Sequence, residues 1–245
     1  MLSIFVVLFF SIFHSLFGMG LLLFGTPTLL LFGFPYEQIL VILLPSSITI
    51  NLFQLYHNRQ NISHKTVYSF MLFCLPFVII CMSLYMYTKV KLNLEIAVSF
   101  VLFFSLLIRI IPTLKKWMQQ IIYKFQKPFL IIMGVIHGFT NLGGALLSVF
   151  ASSQHTRKED IIACISFCYV IFATFQIGLL LVFKPYLFNY KTLLFCLISA
   201  SVYLTFGKVI FASASQYFYE RLFSIFIFIY SVLLFLKGLK IISYN

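Results

Sequence analysis

Hydropathy along this chain rises in long apolar runs broken by short polar punctuation, and the run lengths predict membrane-crossing helices. Residues 1–56 hold one formally charged side chain, Glu37. At roughly 20 residues per crossing, that stretch is too long for one span and generous for two. The surplus coincides with Gly18, Gly20, Gly25, Pro27, Gly33 and Pro35, so the first span is expected to be broken or unwound there. Polar residues from His57 to Lys65 precede a third span near 66–87, and a turn with Lys89 and Lys91 precedes a fourth near 93–112. Further spans are expected near 128–152, 160–183, 190–211 and 219–241, separated by a polar loop from Ser153, by Lys184-Pro185 and by a Ser/Ala-rich turn at 212–218.

Between the two sets lies Thr113 to Lys127, which carries Lys115, Lys116, Lys124 and Lys127 with Trp117 and Tyr123. Basic and aromatic residues together suit the headgroup level of a bilayer. The expected fold class is all-α, a polytopic membrane protein of about eight transmembrane helices. Residues 1–112 would form a first four-span repeat, 113–127 a basic interfacial linker, and 128–245 a second four-span repeat. Sliding the chain by 123 residues superposes His14 on His137, Gly20 on Gly143 and Glu37 on Asp160. Four spans return a chain to its starting side, so the two repeats are expected to be parallel about an axis along the membrane normal.

Composition narrows the function classes. The chain is 62% apolar and 9% charged, against about 25% charged in an average globular chain. That excludes a catalytic or nucleic-acid-binding domain outside the membrane. The net charge of +12 becomes a topology and lipid-headgroup signal. Assigning Lys and Arg to the loops of eight spans gives eleven on the side of both termini (Arg59, Lys65, Arg109, Lys115, Lys116, Lys124, Lys127, Lys184, Lys191, Lys237, Lys240) and six opposite (Lys89, Lys91, Arg157, Lys158, Lys208, Arg221). On that count a multi-pass protein of the cell membrane has cytoplasmic termini. The N-terminus lacks a basic n-region and a small-residue cleavage site, and reads as a retained first span. Cys74, Cys81, Cys164, Cys168 and Cys196 all sit in apolar runs without a Cys-x-x-Cys pair, and read as small packing residues.

The strongest chemical pattern is His14-Ser-Leu-Phe-Gly18-Met-Gly20 continuing to Thr26-Pro27, echoed by His137-Gly-Phe-Thr140-Asn141-Leu-Gly143-Gly144. Glycines in a span can simply let helices approach closely. Their matched placement beside polar residues favours opened helices, whose free amides and positive N-termini hold anions without a buried cation. Candidate substrate-binding residues are therefore Gly18, Gly20, Thr26, Asn51, Thr140, Asn141, Gly143, Gly144, Thr174 and Gln176; Asn51 and Thr174 align directly in the repeat. His14 and His137 are candidates for proton coupling, against hydrogen bonding to backbone as the simpler role. Glu37, Glu95, Glu159, Asp160 and Glu220 fall at expected span ends and read as helix-end caps. His57 and His64 lack zinc spacing, so no metal and no cofactor is expected. No nucleotide-binding motif occurs, which excludes ATP-driven transport by this chain alone.

The ordered set Gly18-x-Gly20 with Pro27, His57-Asn-Arg-Gln-Asn-Ile, Leu75-Pro76 and Gly138-x-x-Asn141-x-Gly143-Gly144 resembles the sulfite exporter TauE/SafE family over nearly the whole chain. Leu21 thins the first glycine run, Asn141 stands where a glycine is usual, and Phe150 replaces a second-half proline. The resemblance implies a multi-pass transporter of sulfite, sulfonates or other sulfur-containing organic anions with two homologous halves. The expected function is thus secondary transport of a small anion and no enzymatic activity, with the lipid bilayer and the anion as partners, a proton as candidate coupling ion, no nucleic acid, and a homo-oligomer left open. The rivals are a non-transporting membrane scaffold subunit, which would carry its polar residues on an outer helix face, and a membrane redox protein, which would need cofactor ligands.

Overall fold

The computed structural model describes residues 1–58, 64–88, 93–155, 157–207 and 216–241, and every regular element among them is helical. The helices are α1 Leu2–Phe17, α2 Gly20–Leu31, α3 Tyr36–Asn58, α4 His64–Phe73, α5 Leu75–Thr88, α6 Leu94–Ile110, α7 Pro112–Lys124, α8 Gln126–Thr140, α9 Gly143–Gln154, α10 Lys158–Phe183, α11 Tyr190–Val202 and α12 Gln216–Gly238. A π-turn over Tyr203–Gly207 extends α11. Arg59, Lys89, Lys91, Lys208 and the start of the Ser/Ala-rich turn lie outside the described residues.

Local chemistry accounts for several boundaries. Asn93 Oδ1 accepts the Ile96 amide at 3.1 Å to begin α6, and Asn189 Oδ1 accepts the Lys191 amide at 2.9 Å to begin α11. Pro112 opens α7, where the missing N–H is no loss. Glu37, Glu95, Glu159 and Asp160 each occupy a first turn, as the sequence led us to expect. Pro45 lies inside α3, and the Ser46 and Thr49 hydroxyls bond the carbonyls of Ile42 and Pro45.

Among the described residues, four stretches are long and apolar enough to cross a bilayer: Tyr36–His57, Thr66–Thr88, Glu159–Phe183 and Tyr190–Gly207. Between α6 and α7 the axis turns by 105°. On α7, Met118 and Ile122 are buried while Lys115, Lys116, Trp117, Tyr123 and Lys124 are exposed, so α7 is an amphipathic helix.

The first pair in each half departs from the eight-span expectation. Phe10 and Phe24 bring their ring centroids to 6.0 Å, although fourteen residues of continuous helix would separate them by about 21 Å. Phe129 and Phe150, twenty-one residues apart, stack at 6.3 Å. In each half two short helices therefore fold back as a hairpin, and the chain leaves at the end where it entered. These hairpins differ from the expected four crossings per half.

The helix directions also bear on the expected parallel arrangement of the halves. Asn93 at the start of α6 donates to the Gly238 carbonyl at the end of α12 at 2.9 Å, and Phe100 meets Phe235 at 6.0 Å, so α6 and α12 run antiparallel. Lys237 Nζ donates to the Leu30 and Leu31 carbonyls at the end of α2. The end of α2, the start of α6 and the end of α12 thus meet at one end of the bundle, which we call the terminal end. Tyr36 at the start of α3 meets Tyr85 near the end of α5 at 5.3 Å, so α5 runs toward this same end. Helix α8 runs alongside α5, with Gly134 against Cys74 and Gly138 against Val78 and Cys81. The second hairpin therefore enters from the opposite end to the first. Gly134 and Gly138, four apart, allow the two backbones this closeness.

Lys237 also lies 3.8 Å from Glu95, with 17% of its side chain exposed. Because it neutralises the negative C-terminus of α2, Lys237→Met is expected to cost about 2 kcal/mol, read as a lower melting temperature in detergent. Glu95→Gln should cost well under half of that, since its ion pair is long and partly solvated.

Candidate functional site

Each hairpin turns on one residue in the left-handed region. Gly18 has φ 71° and its amide donates to the His14 carbonyl at 2.8 Å; Asn141 has φ 59° and donates to the His137 carbonyl at 2.8 Å. Asparagine is the non-glycine residue best suited to that conformation, which explains how it fills the glycine's place. Helix α2 then starts at Gly20 and α9 at Gly143. Gly20 lies against the backbone of Phe13 and His14, where a Cβ would stand 2.7 Å from the His14 nitrogen.

The same bond closes both hairpins. The Leu21 amide donates to His14 Nδ1 at 3.2 Å, and the Gly143 amide donates to His137 Nδ1 at 3.2 Å. A ring nitrogen that accepts carries no proton, so in each neutral imidazole the hydrogen sits on Nε2. His137 Nε2 donates it to Gln176 Oε1 at 3.2 Å, and its ring stacks on Phe172 at 3.8 Å. His14 lies beside Asn51 without closing a hydrogen bond at Nε2.

The central pair α3 and α10 receives both tips. Gln54 Nε2 donates to the carbonyls of His14 at 3.3 Å and Ser15 at 3.0 Å, while Gln54 Oε1 accepts the Ser166 hydroxyl at 2.8 Å. Across the halves, Asn141 Nδ2 donates to Thr26 Oγ1 at 3.3 Å. Asn51 Nδ2 donates to Ser47 Oγ at 3.1 Å. Among the described residues around the tips, five buried polar atoms have no hydrogen-bond partner: His14 Nε2, Asn51 Oδ1, Asn141 Oδ1, Tyr169 Oη and Gln176 Nε2. Unpaired polar atoms away from water are costly, and their concentration at the hairpin tips is what a ligand site requires.

The sequence candidates divide on this geometry. Gly18, Gly20, Asn141, Gly143 and Gly144 form the two turns; Thr26, Asn51 and Gln176 are buried beside them. Thr140 closes its own turn, donating to the Ile136 carbonyl and accepting the Leu142 amide. Thr174 is exposed and bonds the Val170 carbonyl of its own helix, away from the tips. The pairing that matters is Gln54 with Gln176, an offset of 122 in place of 123. Tyr169, whose hydroxyl lies over Gly144, and Ser166 were not among the candidates; a lone Tyr or Ser in an apolar run carries no spacing signal. The buried polar residues face inward, opposite to what a scaffold subunit predicts. Among the described residues no group of three or more His, Cys, Asp or Glu could hold a metal ion, and all five cysteines are free.

Membrane-length apolar helices, paired hairpins with opened tips and a buried polar cluster between them define a polytopic membrane protein built like a transporter. Residues 3–236 match the family described as sulfite exporter TauE/SafE, and the chain belongs to that family, one of membrane transporters. Neither a curated protein nor a solved structure matches it.

Proposed function

We propose that this chain is a secondary transporter carrying a small sulfur-containing oxyanion, sulfite or a short sulfonate, across the cell membrane through the polar cluster at the hairpin tips. The observation that carries the reading is the repeated tip: a left-handed residue, a second helix whose first amides have no helical acceptor, and unpartnered buried polar side chains beside it. Such helix N-termini attract anions without a buried cation. Vesicles carrying the purified chain are expected to take up sulfite or a short sulfonate faster than protein-free vesicles. Equal rates across a panel of sulfur oxyanions and sulfonates would sink the reading.

Two hairpins entering from opposite ends, with α3, α4–α5, α6, α10, α11 and α12 as the crossings, make the halves inverted repeats. The termini then share a side, and the α7 linker lies opposite. Among described residues, Lys184, Lys191, Lys237 and Lys240 fall at the terminal side, against Lys65, Arg109, Lys115, Lys116, Lys124, Lys127, Arg157, Lys158 and Arg221 opposite. Four against nine favours a cytoplasmic α7 and termini facing out. Single cysteines at residues 120 and 155 should label from the cytoplasm and one at 187 from outside. Labelling of 120 and 155 from opposite sides would restore the eight-span arrangement.

A proton carried by His14 or His137 would have to sit on Nδ1, facing an amide that also donates. The histidines are therefore assigned to hydrogen bonding at the tips, and proton coupling through them is not part of this proposal.

A further inference from the structure

The two tips share a backbone design, yet their histidines end differently. His137 is fully engaged: Nδ1 accepts from Gly143, Nε2 donates to Gln176, and Phe172 stacks on the ring. His14 has the same Nδ1 bond, but its Nε2–H and the neighbouring Asn51 Oδ1 both lack partners at 0% exposure. The difference is written in the central helices. With the offset of 122 that pairs the two glutamines, the residue matching Asn51 is Ala173, which offers no polar group, so His137 turns to Gln176. In the first half Gln54 is taken up by the His14 and Ser15 carbonyls and by Ser166, which leaves His14 without that acceptor.

Resting on the transport reading above, we infer that the tips are functionally unequal: His14 Nε2–H, next to Asn51 at the N-terminus of α2, donates to an oxygen of the transported anion, whereas His137 holds its own hairpin closed and does not contact substrate. A neutral imidazole can do this because its proton is already on Nε2, placed there by the Leu21 amide. No charge is then buried when the site is empty. A bound anion completes His14 and takes up the partial positive charge of the helix start.

Asparagine and glutamine separate the two ring nitrogens of a histidine. An asparagine carboxamide reaches only as far as Nδ1, so His14→Asn keeps an acceptor for the Leu21 amide and loses the outer donor. His14→Gln reaches the Nε2 position, keeping a donor there and losing the inner acceptor. In vesicles assayed with radiolabelled sulfite, His14→Asn is expected to raise the apparent KM by about tenfold or more, the value of one hydrogen bond to a charged group. His14→Gln should change KM by less than about threefold while lowering the melting temperature, because it opens the hairpin. His137→Asn should lower the melting temperature through loss of the Gln176 bond with KM within about twofold. Sulfite-dependent stabilisation in detergent supplies a second readout for variants that transport poorly, and it should be lost in His14→Asn and kept in His137→Asn. Unchanged KM and unchanged sulfite stabilisation in His14→Asn, or an equal loss in His137→Asn, overturns this assignment while leaving transport standing. Absence of flux and of stabilisation in the unmodified protein, with sulfite and with short sulfonates alike, overturns the transport reading and this one with it.

Discussion

Gly144→Ala is expected to yield a protein that reaches the membrane in reduced amount, melts well below the unmodified chain and carries no measurable flux. A Cβ on Gly144 would coincide with the Tyr169 hydroxyl and stand 2.5 Å from the ring carbon that bears it. Tyr169 is wholly buried and cannot swing aside. Overpacking of that kind costs about 3 kcal/mol or more, and here it falls on the first turn of α9, where the hairpin closes. Tyr169→Phe should fail to rescue the variant because the ring carbon remains, whereas Tyr169→Ala should remove the clash and regain only part of the lost stability, because it leaves a cavity. Gly178→Ala is the control, since nothing lies within 4 Å of its would-be Cβ. Thermal unfolding in detergent with vesicle flux checks all four. Gly207 and Gly238 would not serve as controls: their added Cβ atoms would meet Tyr203 at 2.8 Å and Ile96 at 2.5 Å.

Gln54→Leu is expected to be the most damaging loss of a single polar side chain. The carboxamide ties the last turn of α1 to α3 through two carbonyls and reaches α10 through Ser166. Its removal takes the partner from the buried Ser15 carbonyl and Ser166 hydroxyl where water is scarce, while the His14 carbonyl keeps the Gly18 amide. At about 1–3 kcal/mol for each, the loss is about 2–6 kcal/mol, enough to detach the first hairpin from the central pair. A thiol reagent should then reach Ser15→Cys in the Gln54→Leu background but not in the unmodified one. Gln38→Leu, at an exposed position in the first turn of α3, should leave that thiol protected. Reagent access in neither background would show that the hairpin is held by packing alone.

The helix breaks at Gly18 and at Asn141 were legible in the sequence because a backbone conformation at positive φ is a local demand that few residues meet. Their repetition at an offset of 123 and the acids at helix starts were legible for the same local reason. The single-residue slip to 122 between the two central helices was not. One residue rotates a helical side chain by about 100°, so an alignment correct for the histidines set Thr174 in the place of a lining residue when it faces outward, and passed over the pairing of Gln54 with Gln176.

Membrane residence, helical class and the sites of interruption are properties of local composition and spacing, and the amino-acid order alone determined them: apolar length, glycine, proline and charge act within a few residues of where they stand. The direction of the chain after each interruption was decided by tertiary structure. A left-handed residue followed by a new helix can kink a span or reverse it. Only the fit of Gly20 against the backbone of Phe13 and His14, and of the Phe10–Phe24 and Phe129–Phe150 pairs, turns the break into a hairpin. Reversal brings the chain back to the end where it entered, and so sets the direction of every helix that follows. The unequal partners of His14 and His137 are likewise tertiary, because whether a buried N–H finds an acceptor depends on which face of a distant helix is turned toward it.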